Sequence, residues 1–215
     1  MANTGFLGTV GEFIDYADSN SLVEEISENL SRGSEREWWS WRDGLQKLAN
    51  DLRLASTDNQ FSWIRELTIV LEFCFTRHHR ADIVIGGVAP SNNPCLLVLE
   101  AKQWSHDSVD IYNGDSNYVT ANAYRDVTKG VLHPILQARG YAESLKASEY
   151  FQDTQIFSGA YLPNMIYGNQ AIEASSIRRT GQDFLILLDD NILLREILSE
   201  LFTGGDESEQ IRQII

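Results

Sequence analysis

Cysteine and long apolar runs are scarce in this sequence. Its 2 cysteines, Cys74 and Cys95, lie in separate apolar runs, so we expect neither a disulfide framework nor a cysteine-bound metal or iron–sulfur site. No apolar run approaches the roughly 20 residues that span a bilayer. The first residues, MANTGFLGTVGEF, lack the basic start and apolar core of a signal peptide. These absences predict a soluble, cytoplasmic protein with no membrane partner.

Positive charge is also scarce, since 17 Lys and Arg face 31 Asp and Glu, for a net charge of -14. A deficit of cations argues against binding to nucleic acid, where Lys and Arg must displace counterions. The excess acid, however, lies in the first fifty residues and after Gln182, whereas acids and bases balance over residues 77–146. We therefore expect the middle of the chain to be the working surface. If it binds nucleic acid, a basic rim should surround Lys102, formed by Arg77, Arg80, Lys129, Arg139 and Lys146.

The overall composition is that of an ordinary globular protein, with 43% hydrophobic and 22% charged residues in a chain of 215. Such a chain is long enough for one core-bearing domain. The spacing of apolar residues predicts helices throughout residues 1–55, with a break at SRGS. We therefore expect a helical extension at residues 1–30 and a main domain at 31–215, forming one compact unit.

Three apolar runs of β type follow in succession: ELTIVLEFCF, RADIVIGG and PCLLVLEAKQW. Consecutive strands of this kind predict an antiparallel meander. Residues 105–130 are polar and weakly patterned, which predicts a long loop. A helix should begin after Pro134, followed by the strand TQIFSGAYLP, the strand FLILL and the helix NILLREILSELF. The order of elements predicts an α/β layered domain.

Three charged residues interrupt the apolar strands: Asp82, Glu100 and Lys102. Residues two apart in a strand share a face, so Glu100 and Lys102 point the same way. If the two strands pair as a hairpin, Asp82 lies beside Glu100, and two neighbouring carboxylates repel unless a cation neutralises them. Mg²⁺ commonly takes one or two carboxylates together with water and phosphate oxygens. These residues therefore suggest a metal site, although Glu-x-Lys alone is also typical of a solvated ion pair on an exposed strand.

The order of Asp82 and then Glu100-Ala101-Lys102 on adjacent strands after a helix resembles the PD-(D/E)XK nuclease superfamily. The segment QARGY, residues 137–141, is similar to the QxxxY motif of its RecB-type branch. This resemblance implies a restriction-endonuclease-like αβββαβ core with a mixed sheet flanked by helices. It also implies that Mg²⁺ or Mn²⁺ binds to Asp82, Glu100 and the carbonyl of Ala101. The other implied active-site residues are Lys102 as the catalytic lysine, Gln137, Tyr141 and an additional acid, Glu37 or its alternative Glu72.

More narrowly, the chain resembles the nuclease-like domain that precedes a P-loop helicase-type ATPase in some bacterial proteins. Ala81 stands where the superfamily usually has proline, and no P-loop follows TGGDESEQ before the chain ends, so we expect a free-standing version or a fragment. The resemblance implies a metal-dependent nuclease in phage defence or DNA repair, with DNA as substrate and an ATPase or another defence subunit as partner. RNA, and endo- versus exonuclease action, stay open. The alternatives are a catalytically silent module that binds nucleic acid or an ATPase, and a hydrolase of small phosphorylated molecules.

Overall fold

The computed structural model describes residues 4–19, 21–30, 35–75, 80–121, 130–173 and 182–203, with only the backbone for residues 35–41. The helices are α1 (Val10–Asp18), α2 (Leu22–Leu30), α3 (Glu35–Ala55), α4 (Pro134–Lys146) and α5 (Asn191–Leu201). The strands are β1 (Phe6–Thr9), β2 (Thr68–Cys74), β3 (Arg80–Val88), β4 (Pro94–Ala101), β5 (Val109–Tyr112), β6 (Asp115–Ala121), β7 (Val131–Leu132), β8 (Gln155–Tyr161) and β9 (Asp183–Ile186). Short 3₁₀ helices cover Asn59–Glu66, His106–Ser108 and Glu149–Phe151.

The main sheet has the strand order β1-β2-β3-β4-β8-β9. Strands β1 to β4 are antiparallel neighbours, which confirms the predicted meander of β2, β3 and β4. Strand β8 then pairs in parallel with β4, and β9 in parallel with β8. The sheet is therefore mixed, and it is flanked by helices, as predicted for an α/β protein.

The two faces of the sheet are covered by different helices. Ile83, Ile85 and Leu97 pack with buried residues of α1, α2, α3 and α5. Val84 and Val98 lie on the opposite face and pack with Ala142 and Leu145 of α4. This alternation follows the two-residue period of a strand, and the strands are apolar throughout because both faces are buried. Within the described ranges, no helix is long and apolar enough to cross a membrane.

The N-terminal region differs from the predicted all-helical segment, because Phe6–Thr9 forms strand β1 at the edge of the main sheet. Four residues are too few to show a strand period, so only the pairing with β2 defines this element. Thr9 ends the strand and caps α1, since its side chain accepts the Glu12 N–H and the Glu12 carboxylate accepts the Thr9 N–H. Buried residues of β1, α1 and α2 belong to the same hydrophobic cluster as α3 and α5.

The predicted loop at residues 105–130 is wrong for residues 109–121, because β5 and β6 form a hairpin there, which β7 extends to a separate antiparallel sheet. Residues 122–129 of this prediction lie outside the described residues. Asn113 and Gly114 join β5 to β6, and both have positive φ angles, 49° and 76°. An Asn-Gly pair of this conformation is typical of a tight hairpin turn. The small sheet buries few apolar side chains, namely Val109, Val119 and Ala121, so its hydrophobic pattern is weak in the sequence.

Candidate active site

Asp82 and Glu100 meet where the pairing of β3 and β4 ends. The register runs from Val88 opposite Pro94 to Ile83 opposite Leu99, and continuing it by one residue places Asp82 opposite Glu100. Directly opposed residues share a face of the sheet, so both side chains lie on the face covered by α4. The Asp82 Oδ2 atom accepts a hydrogen bond from the backbone N–H of Ala101 at 2.9 Å. This bond holds the Asp82 carboxylate at the end of β4.

Glu100 is a buried carboxylate, with only 3% of its side chain exposed. Its Oε1 atom accepts a hydrogen bond from Lys102 Nζ. The Oε2 atom is buried without a hydrogen-bond partner among the described residues. Burial and, next, the charge of Asp82 raise the pKa of Glu100 to about 8, against the opposing effect of Lys102. The positive charge of Lys102 therefore does not outweigh the burial of Glu100 and the repulsion from Asp82.

Glu72 on β2 is a third acid near this pair. The register of β2 and β3 pairs Leu71 with Ile83 and Phe73 with Ala81, so Glu72 lies opposite Asp82. Glu72 has a φ of 54°, in the left-handed region, which costs a residue with a side chain about 1–2 kcal/mol. Its Oε2 atom forms an ion pair with Arg80 Nε at 2.7 Å. The charge of Glu72 is a further, smaller cause of the raised pKa of Glu100.

Helix α4 supplies the predicted Gln137 and Tyr141 on the same face of the sheet. Burial is the main cause that raises the pKa of the Tyr141 phenol, and the charges of Glu100 and Asp82 add to it. Lys102 and Arg80 lower this pKa, so all four charged groups act on the Tyr141 side chain. Gln137 Nε2 donates instead to the backbone carbonyl of Leu132, just before the helix begins. The structure thus brings Tyr141 together with the acids and gives Gln137 a contact at the helix start.

The start of α4 is defined by His133. Its Nδ1 atom accepts the Ile135 N–H at 3.2 Å, and its Nε2 atom lies 3.2 Å from the carbonyl of Ile172, to which it donates. Pro134 follows as the first residue of the helix, where a missing N–H is harmless. Burial lowers the pKa of His133 to about 4, so the ring is neutral at neutral pH.

Glu37 and the residues of the predicted basic rim do not all lie near the acids. Glu37 belongs to α3, but its side chain lies outside the described residues, as do Arg77 and Lys129 of the predicted basic rim. Arg139 does not face solvent as the rim requires: its side chain is 15% exposed and forms an ion pair with buried Asp183 at 2.7 Å. Lys146 is exposed at the end of α4. Of the predicted rim, the described residues therefore place Arg80 near the acids and near Lys102.

The acids suit a hard divalent ion. Two carboxylates lie side by side, one of them has a buried oxygen without a hydrogen-bond partner in the described part of the chain, and their mutual repulsion calls for a cation. The Ala101 N–H points toward Asp82, and in an extended strand the carbonyl of the same residue points to the same side. No group of three or more His, Cys, Asp and Glu side chains among the described residues is arranged to hold a metal. A metal site here would therefore consist of Asp82, Glu100 and the carbonyl of Ala101.

The pairing of Arg80 with Glu72 was not predicted from the sequence. Its signal is the alternation Arg-x-Asp on β3, which mirrors Glu-x-Lys on β4. Two such charged pairs at neighbouring ends of adjacent strands indicate a shared polar surface. What the alternation does not show is that Glu72, one strand further away, contacts Arg80.

No protein-family model, no curated protein and no solved structure matches this chain. The geometry of the site is therefore the basis for assigning a function.

Proposed function

We propose that this protein is a divalent-metal-dependent nuclease of the PD-(D/E)XK superfamily, of the RecB-type branch. The observation that carries the proposal is the hydrogen bond from the Ala101 N–H to Asp82 Oδ2. It places the first acid of the motif beside the Glu100-Ala101-Lys102 segment. The order α3, β2, β3, β4, α4, β8, with β8 parallel to β4, supports the αβββαβ core that the resemblance implies.

In this proposal Asp82, Glu100 and the Ala101 carbonyl hold Mg²⁺ or Mn²⁺. When bound, the ion polarises a phosphate oxygen and lowers the pKa of a water molecule. Lys102 donates to Glu100 in this structure, and if a metal ion occupied Glu100, the Lys102 ammonium would be available for the scissile phosphate or the attacking water. Tyr141 lies within the field of the same charges and orients the lysine or the nucleotide. Gln137 supports the start of α4 through Leu132 and belongs to the same helical face.

The substrate we propose is DNA, with RNA as the alternative, and the biological setting is phage defence or DNA repair with an ATPase or another defence subunit as partner. The net charge of -14 restricts the contact with a polyanion to a local basic surface. Arg80 and Lys102 supply such charge beside the acids.

The direct test is cleavage of linear, circular and single-stranded DNA, and of RNA, in Mg²⁺, Mn²⁺ or EDTA. We expect cleavage with either metal, none with EDTA, and none for Asp82→Asn or Glu100→Gln. Asp58→Asn is the matched control, because Asp58 is an acid at the surface that pairs with Arg195. Calorimetric titration with Mn²⁺ should show a site that the two variants lose and the control retains.

A second function is favoured by one observation, the ion pair between Lys102 and Glu100. An ammonium that permanently neutralises Glu100 would suit a silent module that binds nucleic acid or an ATPase. That module would bind nucleic acid or the partner with the same affinity in EDTA and in Mg²⁺, would show no calorimetric site for Mn²⁺, and would cut nothing.

A further inference from the structure

Two cations flank the two acids at the ends of β3 and β4. Arg80 precedes Asp82 by two residues and forms an ion pair with Glu72, and Lys102 follows Glu100 by two residues and forms an ion pair with it. Glu72 lies opposite Asp82 in the register of β2 and β3, and Asp82 accepts the N–H of Ala101, next to Glu100. The three acids thus follow one another across β2, β3 and β4, and each cation pairs with one of the outer two acids.

The Arg80 side chain is both anchored and accessible. Glu72, whose side chain is 6% exposed, holds Arg80 Nε at 2.7 Å, while 42% of the Arg80 side chain is exposed. A guanidinium that a carboxylate already holds in place loses less conformational freedom when it binds a ligand than a fully mobile side chain does. The anchor is itself held in an unusual backbone conformation, since Glu72 has a positive φ within a strand.

The charges of the cluster leave room for one more anion. Among the described residues of this cluster, the three carboxylates of Glu72, Asp82 and Glu100 stand against the two cations Arg80 and Lys102. A divalent metal between the acids turns this deficit into a single excess positive charge. A phosphodiester carries one negative charge and presents two non-bridging oxygens, which a guanidinium fork matches better than a lysine does.

We propose that Arg80 is a substrate-binding residue that, together with Lys102, holds the phosphodiester of a nucleic acid beside Asp82 and Glu100. This inference rests on the proposed nuclease function and adds the residue that fixes the phosphate. Glu72 is then a positioning residue, which acts on the substrate through Arg80. Arg80 and Lys102 both lower the pKa of Tyr141, so both cations lie near this side chain of α4.

The experiment measures binding of a fluorescent single-stranded oligonucleotide in Ca²⁺, and again in EDTA, over a range of salt concentrations. A parallel titration uses inorganic phosphate, followed by thermal unfolding. The variants are Arg80→Gln, Arg80→Lys and the double variant Arg80→Gln/Glu72→Gln, which avoids leaving buried Glu72 without this ion pair. Arg65→Gln is the matched control, because Arg65 is 37% exposed, pairs with Asp15 and lies against α1 on the other face of the sheet.

We expect Arg80→Gln and the double variant to weaken oligonucleotide binding in Ca²⁺ by about tenfold. The slope of log affinity against log salt should fall by roughly 0.7, the value of one phosphate contact to a single strand. Arg80→Lys should lie between wild type and Arg80→Gln, and Arg65→Gln should match wild type. The same ranking should appear in the stabilisation by phosphate.

The outcomes separate this inference from the nuclease proposal. If wild type binds the oligonucleotide and both Arg80→Gln variants bind it with unchanged affinity and slope, Arg80 does not hold the phosphate, whereas the nuclease proposal stands. If wild type binds phosphate through Arg80 but neither binds nor cuts nucleic acid, the anion site stands and the nuclease proposal fails. If wild type binds neither ligand, both proposals are overturned.

Discussion

The carboxylate of Asp82 accepts the backbone N–H of Ala101 at 2.9 Å, just beyond the last paired residues of β3 and β4. The Asp82 side chain here accepts the hydrogen bond that a backbone carbonyl of β3 accepts elsewhere in the pairing with β4. The bond satisfies an N–H that the end of the pairing would otherwise leave open, and it fixes the carboxylate beside Glu100. Structure and proposed chemistry therefore depend on the same atom pair.

Asp82→Asn separates these two roles. The amide oxygen of asparagine still accepts the Ala101 N–H, so the free energy of unfolding should change by no more than about 1 kcal/mol. The negative charge is lost, so metal-dependent cleavage should fall at least a hundredfold, since about 2.7 kcal/mol of transition-state stabilisation corresponds to that factor. Urea unfolding measures the change in the free energy of unfolding, and a cleavage assay measures the change in rate.

Asp82→Ala is the companion variant, because it removes the hydrogen bond as well. It should be less stable than Asp82→Asn by about 1 kcal/mol. Equal stability of the two variants would mean that the bond to Ala101 does not hold the strand ends together. Full cleavage activity of Asp82→Asn would show that Asp82 is not a metal ligand.

Glu100 predicts an unusual dependence of stability on pH in metal-free buffer. Its pKa is raised from 4.5 to about 8 in the folded protein, so between these values the folded state binds the proton more tightly than the unfolded state does. Its contribution to stability is therefore full below about pH 4.5 and is lost as the pH rises through about 8. Unfolding in urea at pH 6 and at pH 8.5 should show this loss in wild type, and Glu100→Gln should lack it.

A divalent ion changes the same balance. If Glu100 binds Mg²⁺ as proposed, the ion favours its ionised form and should stabilise wild type more at pH 8.5 than at pH 6, where a proton competes. Glu100→Gln should show little stabilisation at either pH. If Mg²⁺ stabilised wild type equally at the two pH values, the ion would be bound away from Glu100.

His133 predicts a dependence of the opposite sign. Its pKa is lowered from 6.5 to about 4, so in this range the unfolded state binds the proton more tightly. Its contribution is present above about pH 6.5 and is lost as the pH falls toward 4, on the order of 3 kcal/mol in total. His133→Asn keeps a side chain that can cap α4 through the Ile135 N–H and should have a flatter profile between pH 6.5 and 4.

The control for His133 is His106→Asn, which removes a histidine whose Nδ1 atom lies near the carbonyl of Ile166 at a more exposed position. If the two variants lose stability in acid equally, a group other than His133 causes the effect.

The ion pair of Arg139 with Asp183 predicts that Arg139 stabilises the fold and does not bind nucleic acid. Asp183 also accepts a hydrogen bond from Ser158 Oγ at 2.7 Å, so its buried carboxylate joins α4 to β8 and β9. Arg139→Ala should reduce the free energy of unfolding by about 3–5 kcal/mol, because it removes one partner of a buried pair. The double variant Arg139→Met/Asp183→Asn should recover much of this loss.

Lys146→Ala is the control on the same helix and should change stability by no more than about 0.5 kcal/mol, because Lys146 is exposed. Oligonucleotide binding by the folded double variant gives a second readout. A salt slope equal to that of wild type agrees with a structural role, and a reduced slope would return Arg139 to the basic rim.

The acid pair was predictable because β3 and β4 are continuous apolar runs, in which Asp82, Glu100 and Lys102 stand out and their two-residue spacing defines a shared face. The order of the core elements followed from the same runs. Strand β1 was missed because its identity comes from pairing with β2. The small sheet was missed because so little of it is buried, although Asn113-Gly114 marks its turn.

Arg139 shows a different limit. A basic residue two positions before Tyr141 on α4 fits a binding surface as well as it fits a buried ion pair, and the choice depends on Asp183, forty-four positions later. Likewise, no local pattern indicates that Glu72 adopts a positive φ, since glutamate rarely does so. Partners that are distant in sequence and exceptions to backbone preference need the tertiary structure.

The mixed sheet has a consequence for the time course of folding. Strands β2, β3 and β4 are joined by short connections, whereas the parallel pairing of Cys95 with Gln155 closes a segment of about sixty residues. Local pairings cost less chain entropy and tend to form first. We therefore expect Asp82, Glu100 and Arg80 to come together in the meander before α4 packs on it and β8 joins its edge. The repulsion between the two acids is then weak while water screens it, and it becomes strong only when packing buries Glu100.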